Sequence, residues 1–166
     1  MIQAPEQLDQ QALAENLGLQ LKQSAKVLSV AESCTGGWLA ATLVGVVGSS
    51  AWFDRGFVAY SYAAKCEMLG IPEEVLDTHG AVSAATVRAM ALATLMRSNA
   101  DVSIAISGVA GPGGGSPDKP VGLVWMAWAQ KSGSVHAQPH HFSGDRNTIR
   151  RASVTTAIRA AIEHFA

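Results

Sequence analysis

The chain has 166 residues, 48% of them hydrophobic and only 15% charged, which suits one packed globule and excludes a disordered segment. Its formal net charge is −1 and its 12 Lys and Arg residues are scattered along the chain, so no basic patch points to a nucleic-acid partner. Two cysteines, Cys34 and Cys66, are too few for a disulfide framework or a multi-cysteine metal site, and no apolar run approaches the roughly 20 residues that span a bilayer.

Met1 to Gln10 is polar and acidic, without a basic stretch leading into an apolar one, so no signal peptide is expected and the chain reads as cytoplasmic. Leu13, Leu17 and Leu21 recur at i, i+4 and predict a first helix over about 6–24. Lys26 to Ala31 is short and β-rich and predicts a buried strand. The polar turn Glu32-Ser33-Cys34-Thr35-Gly36-Gly37 follows, then an apolar helical stretch from Trp38 to about Val46. Strand, turn, helix in that order places the turn at the carboxyl end of a strand.

Ala51 to Tyr60 predicts a second strand after a Gly48-Ser49-Ser50 loop, and Tyr62 to Leu69 a short helix that stops at Gly70-Ile71-Pro72. His79 and Gly80 read as loop. Ser83 is placed to cap a helix running to about Arg97, with Val87, Met90, Ala91 and Leu95 on one face. Asp101 to Ser107 is a third strand, and the glycine-rich run Gly108 to Gly115 a long loop of the kind that carries function on a rigid scaffold. Val121 to Ala129 and Val135 to Phe142 predict a hairpin around Lys131 to Ser134, and a last helix covers about 145–164. The alternation predicts a single α/β domain over 1–166, with three α/β/α layers and a mixed, mostly parallel sheet.

No metal site is legible: His140 and His141 are adjacent on a strand and point apart, and His79, His136 and His164 stand alone. Ser33 lies where backbone N–H donors gather, which suits a nucleophile, though taken alone it reads as a helix N-cap. No Ser-His-Asp set is visible, so its base would be a lysine. Lys65 follows the second strand and so lies near the same sheet edge, and burial among apolar neighbours would lower its pKa. Taken alone it reads as a solvated surface lysine. Cys34 is a rival nucleophile, since a thiol at a helix start acquires a lowered pKa. The Ser107 to Gly115 run could cradle an anion but lacks a P-loop ending, and Arg146 at a helix start could clamp a phosphate. Asp145 beside it could simply cap that helix and pair with the arginine.

Ala31-Glu32-Ser33-Cys34-Thr35-Gly36-Gly37 resembles the AESCTGG signature of the C-terminal domain of competence/damage-inducible protein A. Gly48 to Phe53, Tyr60-Ser61 with Lys65, Leu69-Gly70-Ile71, His79 to Ser83, Ser107 to Pro112, Lys119 to Gly122 and Phe142 to Arg146 continue the resemblance, which covers roughly residues 8–165. It implies hydrolysis of nicotinamide mononucleotide to nicotinate mononucleotide and ammonia, by a serine–lysine pair with an assisting tyrosine, here Ser33, Lys65 and Tyr60. Thr35, Gly36, Gly37, Gly108, Ala110, Gly111 and Arg146 are then the expected substrate-binding positions, with no cofactor and no metal. The expected partners are the small-molecule substrate and further copies of the chain, and neither nucleic acid nor membrane. Tyr62 departs from the pattern, where the family often has Asn. The family name also leaves open a non-catalytic module in competence or DNA repair, or a nucleotide sensor that binds without hydrolysis.

Overall fold

The structure, a computed structural model, describes residues 5–165, with side chains from Gln10 onward; the reading of the N-terminus over Met1 to Ala4, and Ala166, lie outside the described residues. Six helices and five strands follow in the order α1 (Pro5–Gln23), β1 (Leu28–Glu32), α2 (Trp38–Val44), β2 (Phe53–Val58), α3 (Tyr62–Leu69), α4 (Glu73–His79), α5 (Ala84–Met96), β3 (Val102–Gly108), β4 (Leu123–Gln130), β5 (Val135–His141) and α6 (Arg146–His164). The strands form one sheet in the order β2-β1-β3-β4-β5. β1 pairs parallel with β2 and β3, whereas β4 runs antiparallel to both β3 and β5. Four strands therefore share one direction and β4 alone is reversed: the mixed, mostly parallel sheet of an α/β/α sandwich.

Period-2 alternation sorts the sheet residues by size. Leu28, Val30, Val102, Ile104, Ile106, Val124, Met126 and Trp128 face one side, where they pack with α1, α2 and α6. The opposite face presents Ala31, Ala105, Ala127 and Ala129 to α5 and to Leu69, Ile71 and Leu76 of the α3–α4 segment. Small side chains let α5 lie close enough for the buried Ser103 Oγ to donate to the Ala91 carbonyl at 2.8 Å. On the bulky side Trp128 Nε1 donates to the Ala157 carbonyl at 3.1 Å, so this tryptophan of β4 also satisfies its one donor while pinning α6. Among the described residues no helix is long and apolar enough to cross a membrane.

Two local readings change. Residues 73–79, where the sequence predicts no element and reads His79 as loop, form α4: Pro72 ends the preceding segment, Glu73 and Glu74 occupy the first turn and His79 the last, each favourable to the helix dipole. Gly48-Ser49-Ser50 enters a short 3₁₀ turn over Ser49–Ala51.

What positions the site is the parallel part of the sheet. β1, β2 and β3 end at the same edge, in the register Glu32↔Val58 and Glu32↔Ile106. The chain leaves β1 for β2 on one side, while β3 lies on β1's other side and connects onward to β4. The carboxyl ends of β1 and β3, where the connections part, are the position at which ligands of open α/β sheets bind.

Ser83 caps α5, its Oγ accepting from Thr86 N at 3.2 Å and donating to the Gly80 carbonyl at 3.1 Å. Ser83→Ala is therefore expected to cost about 1 kcal/mol and to lower the thermal midpoint by roughly 2–4 °C, read by circular dichroism melting. An unchanged midpoint would show that α5 is held by its packing alone.

Candidate active site

Ser33 follows the last residue of β1, and its N–H donates to the Ile106 carbonyl at 2.9 Å, which continues the β1–β3 ladder one step beyond the strand. On the other side the Ala59 N–H donates to the Glu32 carbonyl at 2.9 Å, extending the β1–β2 ladder in the same way. Ser33, Ala59 and Tyr60 are thus brought abreast by backbone pairing alone.

Lys65 reaches them from α3. That helix begins at Ser61, whose Oγ accepts from Ala64 N at 3.0 Å, and ends at Gly70 with φ +65, the left-handed conformation glycine supplies at a helix C-terminus. One turn of helix past that cap places the Lys65 amine back at the sheet edge with 0% of the residue exposed. Its Nζ lies 2.9 Å from Ser33 Oγ, 2.9 Å from the Ala59 carbonyl and 2.9 Å from the Tyr60 carbonyl. Lys65 is therefore a buried side chain, not a solvated one. Desolvation holds its ammonium below the ordinary lysine value, with Cys34 opposing in a lesser way. The described ion pairing at the surface joins Arg55 to Asp54 and does not reach Lys65. Two carbonyls accept two amine hydrogens, so in neutral Lys65 the lone pair is left for the hydrogen of Ser33 Oγ.

Cys34 does not compete. It is 6% exposed, and burial pushes its thiol up to about 11, so it stays protonated near neutrality. Its own N–H and that of Gly108 act in the opposite direction, which places the Gly108 N–H beside this turn. Gly108 itself is required by space: a Cβ there would meet Val124 Cγ2 at 2.6 Å and the Leu123 carbonyl at 2.8 Å.

Ser33 is not the cap of α2. Gly37 holds the cap position, with φ +95, and the capping group is the buried Glu32 carboxylate. Glu32 accepts from Gly37 N at 3.1 Å, Leu39 N at 3.0 Å and Ala40 N at 2.8 Å, the orphan donors of the first turn. The Gly36 N–H is also occupied, by the Ser33 carbonyl at 3.1 Å. Gly36 and Gly37, expected as ligand-binding donors, are therefore committed to the turn itself. Thr35 is fully buried, and its Oγ1 has no partner among the described residues.

Tyr60 divides its two polar groups. Its carbonyl holds Lys65, while the 59% exposed side chain points outward and accepts from Arg146 Nη2 at 3.1 Å. The hydroxyl expected to assist the pair thus sits on Arg146 and not between Ser33 and Lys65. Arg146 also donates through Nη1 to the Gly111 carbonyl at 2.7 Å, joining the glycine-rich loop to the rim of the site. Ala110 is buried in the core below that loop. Asp145 caps α6, its carboxylate accepting from Thr148 N at 2.8 Å, and this bond holds the carboxyl below its ordinary value. His79 closes α4, where its carbonyl accepts from Lys119 Nζ at 2.6 Å.

Two residues escaped the sequence reading. Glu32 was visible only as a motif letter, although a carboxylate just ahead of a helix start is a capping signal. Arg150, four residues after Arg146 on α6, donates through Nε to the Cys34 carbonyl at 3.1 Å and through Nη2 to the Thr35 carbonyl at 3.0 Å. The i, i+4 spacing was the available signal, since it puts both arginines on one helix face. Among the described residues no group of three or more His, Cys, Asp or Glu side chains is arranged to hold a metal ion.

The chain is similar to proteins of known sequence and structure. Nicotinamide-nucleotide amidohydrolase PncC of Escherichia coli (strain K12) is 46% identical over 153 residues, covering 92% of this chain and 93% of that protein. The Pseudomonas putida protein of the same name is 45% identical over 151 residues, covering 91% and 94%. The crystal structure of competence/damage inducible protein CihA from Agrobacterium tumefaciens superposes with a TM-score of 0.91 at 44% identity, covering 93% of this chain and 94% of that one. The family described as CinA C-terminal domain matches residues 10–165, and the chain belongs to that family.

Proposed function

We propose that the chain hydrolyses the carboxamide of nicotinamide mononucleotide to nicotinate mononucleotide and ammonia, with Ser33 as nucleophile and Lys65 as its base. The observation that carries this reading is the 2.9 Å contact between the buried Lys65 amine and Ser33 Oγ. The amidohydrolase relatives, matched over nearly their whole length, supply the substrate class.

In the proposed reaction neutral Lys65 takes the Ser33 proton as Oγ attacks the carboxamide carbon. The contact is direct, so no tyrosine relay is needed. The tetrahedral oxyanion is held by backbone N–H groups beside the nucleophile, each such donor contributing about 3 kcal/mol. The Lys65 ammonium then protonates the departing nitrogen, the C–N bond breaks and ammonia leaves. Water attacks the acyl-enzyme and gives a proton to Lys65, which passes it to Ser33 Oγ as the ester C–O bond breaks, and the acid product loses its own proton to solvent and leaves as the carboxylate. Arg146, exposed at the rim and steadied by Gly111 and Tyr60, is the group that would meet the 5′-phosphate. The reaction as proposed calls on no cofactor and no metal.

Ser33→Ala is expected to abolish ammonia release with the fold intact, and Cys34→Ala to keep most of it, as initial rates beside circular dichroism would show. Loss in the cysteine variant with survival in the serine variant would reverse the assignment.

For Lys65 the sign of the pH dependence is set by its lowered pKa. kcat/KM should rise with pH through an ionisation below 10.5, the ordinary lysine value. Lys65→Arg should be as inactive as Lys65→Ala, because guanidinium stays protonated. The native state also holds fewer protons than the unfolded chain between the lowered value and 10.5, so wild-type stability rises with pH across that window. Relative to Lys65→Met, whose orphaned carbonyls cost the same at every pH, the wild type should gain up to about 1.4 kcal/mol per pH unit. Parallel urea curves with no pH-dependent difference would mean that Lys65 is not desolvated in solution.

Nicotinamide mononucleotide should exceed nicotinamide riboside by roughly 10–100-fold in kcat/KM, and Arg146→Ala should erase most of that advantage. Equal efficiency on both substrates in the wild type would remove Arg146 from phosphate recognition.

A further inference from the structure

We infer that Arg150 is a positioning residue for this reaction, one that holds the turn after Ser33 so that Oγ keeps its place beside Lys65. The inference rests on the reading of Ser33 as a nucleophile that attacks a carbonyl. Its guanidinium bonds two consecutive carbonyls of the turn after that nucleophile: Nε meets Cys34 O at 3.1 Å and Nη2 meets Thr35 O at 3.0 Å. Two parallel donors from one rigid fork fix the orientation of two successive peptide planes, which a point charge could not do.

The rest of the turn is held through its N–H groups. Ser33 N is on Ile106 O, Gly36 N on Ser33 O, Trp38 N on Thr35 O, and the N–H groups of Gly37, Leu39 and Ala40 are on Glu32. The Cys34 carbonyl lies outside that set and the Thr35 carbonyl is shared between Trp38 N and the guanidinium, so Arg150 orients the two peptide planes between the nucleophile and Gly36.

Arg150 is itself held for this task. Its Cζ lies 5.3 Å from the centre of the Trp38 ring, and Nη1 donates to Asn147 Oδ1 at 3.4 Å. Each of its nitrogens has a partner within the protein, in contrast to a group waiting for substrate. One face of α6 thus grips the site at two points, Arg146 on the glycine-rich loop and Arg150 on the nucleophile turn.

The test compares wild type, Arg150→Lys and Arg150→Ala in the full chain. Misplacing the nucleophile should lower kcat for ammonia release from nicotinamide mononucleotide by about 10²-fold, with KM within about threefold of wild type, and lysine should not restore it. Methylguanidinium added to Arg150→Ala should recover part of kcat without moving the thermal midpoint, a response that a purely structural arginine would not give. A raised KM with kcat preserved would assign Arg150 to substrate binding and overturn the inference, as would unchanged kinetics.

A second measurement, the labelling rate of Ser33 by a fluorophosphonate, needs the nucleophile and its oxyanion donors but no carboxamide. Wild type inert towards nicotinamide mononucleotide, yet labelled at a rate that falls in both variants, would leave the inference standing and overturn the proposed substrate. Turnover and labelling both independent of Arg150 would overturn the inference and leave the function. Absence of both in the wild type would overturn the two together.

Discussion

A lysine amine buried without a carboxylate partner is the constraint around which the rest of the molecule is organised. An ammonium at that depth is costly, and the protein lowers the cost with two main-chain carbonyls, those of Ala59 and Tyr60, rather than with a counter-charge. The choice has a chemical consequence. A carboxylate would stabilise the charged form and raise the pKa, removing the base; carbonyl dipoles orient the amine while leaving burial to favour the neutral form. The same carbonyls are available because the β1–β2 ladder ends with the Ala59 N–H on the Glu32 carbonyl and takes up neither the Ala59 nor the Tyr60 carbonyl.

That edge is rigid because the sheet behind it is packed differently on its two faces. Alanines at 31, 105, 127 and 129 draw α5 onto one side, and large aliphatic and aromatic side chains fill the space beneath α1, α2 and α6 on the other. The parallel strands then deliver Ser33, Ala59 and Gly108 to one line, each the residue at or just past a strand end. Precision in the Ser33–Lys65 distance is thus inherited from backbone hydrogen bonds and one short capped helix, with no long side-chain network to drift.

The turn after Ser33 shows how opposite charges can divide one piece of backbone. The Glu32 carboxylate collects the N–H groups that start α2, and the Arg150 guanidinium collects the carbonyls of Cys34 and Thr35. Neither charge forms an ion pair with the other; each is satisfied by peptide dipoles of the sign it needs. The result is a turn whose geometry is over-determined on both sides, at the point where a nucleophile must be held without side-chain freedom.

The sequence by itself determined the layers of the fold, because the 3.6 and 2.0 periodicities depend only on neighbours along the chain. The α1 leucines, the Ser83 cap and the β4–β5 hairpin are all local signals. Helix α4 escaped because seven residues behind a proline carry too little periodicity to register. The motif run marked Ser33, Lys65, Tyr60 and Arg146 by resemblance, without saying which atoms meet. Only the tertiary structure decided that Lys65 is buried against Ser33 and that Tyr60 contributes its carbonyl there while its hydroxyl serves Arg146. It also decided that Glu32 and Arg150 share the nucleophile turn. Burial, and the pairing of a side chain with a backbone group more than a hundred residues away, are set by how α3 and α6 dock on the sheet, and no local pattern in the chain encodes that docking.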